Sequence, residues 1–223
     1  MTVRPAIGDP APDAFLLDKS GSMTRLSFSW RDHAAVLVFL RYFGCPFCQM
    51  HVVALRADED RFREADAAVV LIGQGSPEQG ARFCAEKRVS FTCLLDPHAF
   101  AYEEYGLGRG SIAQVFGLRV ISPFLSANVH AETRQRGMRE GSMMQMPGTF
   151  VVDTAGVVRL AHRNRTIADS PRNEMILDVL AGLGSGAPDT GKGSDGSGTD
   201  RTAGTTHAVW PAGQGGRPVR GAR

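Results

Sequence analysis

The run Ala34–Leu40 reads AAVLVFL, seven residues without a polar side chain. Its β-branched and aromatic content suits a strand buried on both faces. A strand of that kind needs neighbours on both edges and a packed layer on each side, which commits the chain to a layered α/β arrangement. Ala67–Ile72 (AAVVLI) reads as a second buried strand and Ser90–Leu95 as a shorter one. Helical patterns lie between them. One runs from about Pro46 to Glu64, and another from Ser76 to Arg88, with Ser76 as N-cap and Pro77 at the first helical position. His98–Tyr105 predicts a short helix. Thr149–Val152 and Val157–Leu160 flank Asp153-Thr-Ala-Gly156, a hairpin signal. Ser170-Pro171 opens a last helix through about Leu180, and Asp9–Phe15 with Met23–Phe28 suggests an N-terminal hairpin. The order predicts an α/β sandwich with a mixed central sheet flanked by helices.

Two stretches fall outside this pattern. Gly106–Gln145 has mixed polarity and scattered glycines, with Met138, Met143, Met144 and Met146 near its end, and reads as an insertion. Gly184–Arg223 holds eleven glycines, and its only large apolar residues are Val209, Trp210 and Val219. It cannot bury enough apolar surface to offset its ordering entropy, so a disordered tail is expected, with Trp210 solvated. The remaining residues, 1–183, fit one globular domain.

A net charge of +2 with scattered basic residues gives no electrostatic case for nucleic acid or a membrane surface. The N-terminus lacks a charged region followed by an apolar one, so a cytoplasmic location is expected. Structural disulfides are rare there, and four cysteines suggest catalysis, metal binding or burial.

Cys45 and Cys48 sit just after the first buried strand, at the start of a helix, in Phe-Gly-Cys-Pro-Phe-Cys. The first turn of a helix offers unpaired N–H groups and the positive end of the dipole, which stabilise a thiolate. Pro46 pre-sets the first helical residue. Cys48, Val52, Leu55 and Phe62 share one stripe, so Cys48 is expected to face the core and Cys45 the solvent. An exposed sulfur with a shielded partner suits disulfide exchange, Cys45 attacking and Cys48 resolving. Arg41, at the strand end, could add positive potential.

Other residues carry weaker signals. Cys84 and Cys93 fall on a helix face and in an apolar strand, where core packing is the simpler reading. Their spacing is wrong for a zinc knuckle. His51 faces away from Cys48 on the helical wheel and reads as a surface or satisfied histidine. His162, with Arg163 and Arg165, either nears the cysteine end of the sheet or ends its strand. Gly73-Gln-Gly75 lacks the spacing and lysine of a phosphate loop and reads as a turn.

The segments LVFLRYFGCPFCQMHVVAL, LLDPHAFAYEEYGL and QMPGTFVVDTAGVVRLAHRNRTIADSP, in this order, resemble the peroxiredoxin-like proteins of the alkyl hydroperoxide reductase and thiol-specific antioxidant superfamily. The resemblance spans roughly Ile7 to Leu183 and implies a thioredoxin-like fold with antioxidant or disulfide-exchange activity. Against the peroxiredoxin pattern Pro-x-x-x-Thr-x-x-Cys, Cys48 matches the cysteine that attacks peroxide. Cys45 takes the threonine's place and Arg41 the proline's. Pro147 stands where peroxiredoxins carry a late arginine. Met146-Pro147 instead resembles the cis-proline of thioredoxins, which leaves the preceding backbone free to pair with a substrate chain. Phe39 occupies the place of the buried carboxylate of thioredoxin-like reductases, and Glu59 lies three turns from Cys48. Proton transfer would then rely on solvent or another group.

These readings predict an oxidoreductase with no cofactor. It would be a thiol–disulfide oxidoreductase with Cys45 and Cys48 as catalytic residues, Met146 and Pro147 at the substrate, and Arg41 and Pro46 in support. The alternatives are a thiol peroxidase, with Cys48 or Cys45 oxidised by hydrogen peroxide or an organic hydroperoxide, and a non-enzymatic redox-sensing interaction module. Expected partners are a thiol reductant, a disulfide-bearing protein or small molecule, or a peroxide. Oligomeric state is not encoded legibly.

Overall fold

The structure is a computed structural model that describes residues 4–111, 114 and 141–184. The chain divides into a compact unit, Met1–Ala187, and a separate stretch, Pro188–Arg223. The expected tail beyond residue 184, including Trp210, and most of the expected insertion lie outside the described residues.

In chain order the elements are β1 (Phe15–Leu17), β2 (Met23–Arg25), a 3₁₀ helix (Leu26–Trp30), β3 (Ala34–Phe39), α1 (Pro46–Ala57), α2 (Glu59–Glu64), β4 (Ala67–Gly73), α3 (Pro77–Lys87), β5 (Thr92–Leu95), α4 (Phe100–Glu104), β6 (Gly148–Val152), β7 (Val158–Arg163) and α5 (Asn173–Gly184). The seven strands form one sheet in the order β2-β1-β5-β4-β3-β6-β7. β3, β4 and β5 run parallel, while β6 pairs antiparallel with both β3 and β7. The sheet is mixed and flanked by helices on both faces, a thioredoxin-like fold.

The pleat of β3 sorts the core into two layers. Val36, Val38 and Leu40 join a cluster with Val52 and Leu55 of α1, Phe62 of α2, Phe83 of α3 and Ile176 and Leu180 of α5. Ala35, Leu37 and Phe39 face the other way, toward Leu26, Trp30, Tyr102, Tyr105 and Phe150. The stripe Cys48, Val52, Leu55 and Phe62 is buried as its spacing predicts.

Several boundaries differ from the sequence pattern. The expected single helix from Pro46 to Glu64 is broken at Asp58 (φ −105°, ψ 18°). The Asn173 side-chain amide donates to the Ala54 carbonyl at 2.8 Å and to Asp58 Oδ2 at 2.7 Å, so the Asp58 N–H turns to the Leu55 carbonyl instead. The last helix starts at Asn173 rather than Ser170 and runs on through Gly184, which composition placed in the tail. Pro77 and Ser76 cap α3 as expected, with Gln79 completing a capping box. No described helix is long and apolar enough to cross a membrane.

Gly73 and Gly75, between β4 and α3, let Phe43 lie flat on the chain. A Cβ at Gly73 would sit 2.4 Å from Phe43 Cζ. Phe43 in turn packs on Phe83, with ring centroids 4.9 Å apart. Gly73→Ala is therefore expected to lower the unfolding free energy by about 2 kcal/mol through overpacking, measured by urea denaturation.

Candidate active site

β3 delivers the chain to Leu40, and a tight turn, closed by the Cys45 N–H on the Tyr42 carbonyl at 3.1 Å, redirects it into α1. Cys45 is the N-cap of α1, with extended backbone (φ −73°, ψ 118°), and Pro46 occupies the first turn. Cys48 lies one turn on, facing the core. Gln49 holds the turn by donating from Nε2 to the Phe43 carbonyl at 2.9 Å.

Both sulfurs are reduced and buried. Cys45 is 0% exposed and Cys48 4%, so the expectation of a solvent-facing Cys45 is overturned. Met144 and Met146 pack in the same cluster as both cysteines. Their segment is pinned by Ser142 N–H on Gln74 Oε1 at 2.9 Å and by Gly110 N–H on the Met144 carbonyl at 2.7 Å.

Arg41 is buried here too, 3% exposed. Its guanidinium donates from Nη2 to the Met143 carbonyl and lies 5.4 Å from the centroid of the Tyr42 ring. Its Nε has no hydrogen-bond partner among the described residues, while a hydrogen bond from the Arg41 side chain helps to lower the Cys45 pKa. The two thiols titrate as one unit. The Cys48 thiol donates a hydrogen bond to Cys45, which, with the Cys48 amide and the Arg41 charge, brings Cys45 down to about 6 against the opposing effect of burial. The same hydrogen bond, burial and the Cys45 charge push Cys48 well above the usual thiol range. The helix terminus favours the anion at the N-cap for the same electrostatic reason.

A further contact reaches Cys48 through the backbone. The Arg41 N–H donates to Cys48 Sγ at 3.3 Å. The carbonyl of that same peptide group, Leu40, accepts from the buried Tyr102 hydroxyl, which also lies 3.0 Å from the Ile72 carbonyl. Tyr102 is thus joined to Cys48 across one polarised peptide. Tyr102 is placed by α4, whose first amides, Ala101 and Phe100, donate to the buried Asp96 carboxylate at 2.8 and 3.1 Å. Sequence reasoning missed Tyr102. It lies in the segment LLDPHAFAYEEYGL, but nothing local says that its hydroxyl crosses to β3.

Pro147 leads into β6 beside β3, yet no described peptide bond is cis. The backbone before it is also occupied. Met146 N–H donates to the Gly108 carbonyl at 3.1 Å, and the Met146 carbonyl accepts from Gln145 Nε2 at 3.4 Å. The Met146 backbone is thus paired within the chain, its N–H with Gly108. Phe39 packs in an aromatic group with Tyr102, Tyr105 and Phe150 on the opposite face. Glu59 is outside the site, accepting from the Ser90 hydroxyl and pairing with Arg63 at 3.6 Å.

The two histidines also lie elsewhere. His51 is buried rather than at the surface, with Nε2 unpartnered. Burial and the neighbouring His162 push it down to about 4, so it is neutral near pH 7 and supplies no cation. It lines a cavity of about 460 Å³ with Phe47, Met50 and Pro171, and neither cysteine lines that cavity. His162 Nε2 bonds the Asp169 carbonyl at 2.7 Å, while Arg163 binds the carbonyls of Tyr105 and Pro5.

The model of the AhpC/TSA family matches residues 7–161. The chain belongs to the AhpC/TSA family. Among its relatives, peroxiredoxin-like 2C of Mus musculus is 28% identical over 175 residues, covering 74% of this chain and 76% of the relative. Prostamide/prostaglandin F synthase of Aquarana catesbeiana is 28% identical over 168 residues, covering 72% and 79%. Peroxidoxin BcpB from Mycobacterium tuberculosis superposes with a TM-score of 0.58 at 22% identity, over 80% of this chain and 98% of that one. As an AhpC/TSA protein with this dithiol, the chain is a thiol-based oxidoreductase.

Arg41→Met keeps length and burial but removes the cation beside Cys45. The midpoint for Cys45 ionisation, about 6 in the native protein, is expected to move up, read from thiolate absorbance or from the pH dependence of alkylation. Tyr102→Phe leaves the Leu40 carbonyl short of a donor and is expected to cost about 1–3 kcal/mol of stability in urea unfolding. It should also slow disulfide closure by Cys48 more than the first oxidation of Cys45.

Proposed function

We propose that this protein is a thiol peroxidase in which Cys45 is oxidised first and Cys48 closes an intrachain disulfide. The observation that carries the reading is the buried Arg41 beside a buried Cys45 thiolate, its Nε unpartnered. A sulfur so enclosed is reached by a small oxidant more readily than by a folded protein's disulfide. A guanidinium N–H with no partner is a ready donor to an oxygen that gains charge as the O–O bond breaks.

The Cys45 thiolate attacks one oxygen of a hydroperoxide. The O–O bond breaks, the departing oxygen takes a proton and leaves as water or an alcohol, and Cys45 becomes a sulfenic acid. The Cys48 thiol holds the nearest proton, through its hydrogen bond to Cys45. Once Cys45 carries no charge, its hydrogen-bond and charge effects on Cys48 disappear; burial still opposes the Cys48 thiolate, while the Arg41 amide and cation favour it. Cys48 then attacks the Cys45 sulfur, the S–O bond breaks, water leaves and the disulfide forms. An external thiol returns both cysteines to the reduced state. The sequence of steps follows from the electrostatics of the pair.

The other reading, exchange with a protein disulfide, has the CxxC placement in its favour. The occupied Met146 N–H and the buried Cys45 count against it.

Stopped-flow oxidation with hydrogen peroxide and an organic hydroperoxide separates the two. Native protein should react far faster than free cysteine, with a rate that rises with pH through about 6, because the reactive thiolate forms as pH increases. Cys45→Ser should abolish the fast phase, and Cys48→Ser should leave a sulfenic acid that dimedone traps. A native rate no greater than that of free cysteine, together with rapid reduction of insulin, would overturn the proposal in favour of disulfide exchange.

A further inference from the structure

Cys84 and Cys93 lie outside this chemistry but not outside redox reach. Cys84 is on the inner face of α3 and Cys93 is in β5, level with Leu71 of β4. Both are buried, 4% and 2% exposed. Gly80 stands one helical turn before Cys84 on the same face. A Cβ there would come within 2.9 Å of Leu95 Cδ1 and 3.4 Å of Cys93 Sγ. A glycine inside a helix weakens the helix; here it lets α3 settle onto β5 with the Cys93 sulfur directly beneath. The two thiols are near enough that each is the largest influence on the other's ionisation.

We propose that Cys84 and Cys93 are a second dithiol site, oxidised by a small hydroperoxide to an intrachain disulfide without involving Cys45 or Cys48. Cys84 is the sulfur that reacts first. The hydrogen bond from Cys93 and the nearby Lys19 ammonium favour its thiolate, against burial. Cys93 keeps its proton, through the same hydrogen bond, burial and the Cys84 charge. The Cys84 thiolate attacks a peroxide oxygen, the O–O bond breaks, and the other oxygen leaves with a proton as water or an alcohol. Cys93 then attacks the resulting sulfenic sulfur. The S–O bond breaks, the Cys93 proton leaves with the hydroxyl as water, and an S–S bond forms. Two thiols give up two electrons and two protons, and the hydroperoxide accepts them. The pair joins α3 to β5 with only nine residues of separation, so the disulfide closes a short loop.

The test uses the full chain with Cys45→Ala and Cys48→Ala together, so its failure cannot be confused with failure of the first site. The protein is treated with hydrogen peroxide, denatured, alkylated and mapped by mass spectrometry. The expected result is a loss of two hydrogen masses, with the Cys84 and Cys93 peptides cross-linked and both thiols recovered by dithiothreitol. Adding Cys93→Ala should stop the reaction at a dimedone-reactive Cys84. If the double variant does not fold, the Cys45→Ser, Cys48→Ser protein is mapped for the same Cys84–Cys93 link. Full alkylation of Cys84 and Cys93 after peroxide treatment would overturn the proposal. So would their conversion to sulfinic or sulfonic acids with no cross-link.

Discussion

The site is organised around a buried cation. Arg41 is 3% exposed and pairs with no carboxylate among the described residues. An ion withdrawn from water costs several kcal/mol unless its surroundings compensate. Here the compensation comes from the Met143 carbonyl, the Tyr42 ring and the sulfur of Cys45. Met143 comes from distant sequence, while Tyr42 and Cys45 lie in the same turn as Arg41. The loop before β6 covers the sulfurs, the turn after β3 aims the guanidinium, and the N-cap of α1 presents the thiol. Cys45 ionises easily because an anion at that point relieves a cost already present in the fold.

The rest of the fold supplies rigidity to that point. β3 is hydrogen-bonded on both edges and covered on both faces, so Leu40 leaves the sheet in a fixed direction. Tyr102 reaches through from the far layer to hold the Leu40 carbonyl, while the N–H of the same peptide meets Cys48 from the near layer. One peptide group therefore touches both layers. Phe43, seated on Gly73 and packed against Phe83, fixes the other side of the turn.

Much of this is legible in the sequence because its causes are local. The apolar runs of β3 and β4, the Ser76-Pro77 start of α3 and the stripe Cys48, Val52, Leu55 and Phe62 are set by short-range period and capping. The failures share a different cause. Cys45 at an N-cap is exposed by local rules, and it is buried in a cluster that also takes in Met144 and Met146, about a hundred residues later. The helix break at Asp58 depends on Asn173, and the saturated backbone at Met146 depends on Gly108. His51 reads as a surface residue on the wheel because the segment that buries it follows β7. Residue identity could not settle the isomer before Pro147 or the partners of its neighbours. Long-range contacts thus enclose a site that its local sequence would leave open.

The Arg41–Cys45 pairing also bears on the return half of the cycle. A disulfide between Cys45 and Cys48 carries no charge, so oxidation takes away the anion and leaves the guanidinium enclosed with neutral partners. Whatever favours the reduced thiolate disfavours the disulfide by the same amount. On the proposed cycle the disulfide leaves that cation without its anion, which shifts the reduction potential of the pair toward that of an oxidant. On that reading, the charge that favours the Cys45 thiolate also favours return of the pair to its reduced form by an external thiol.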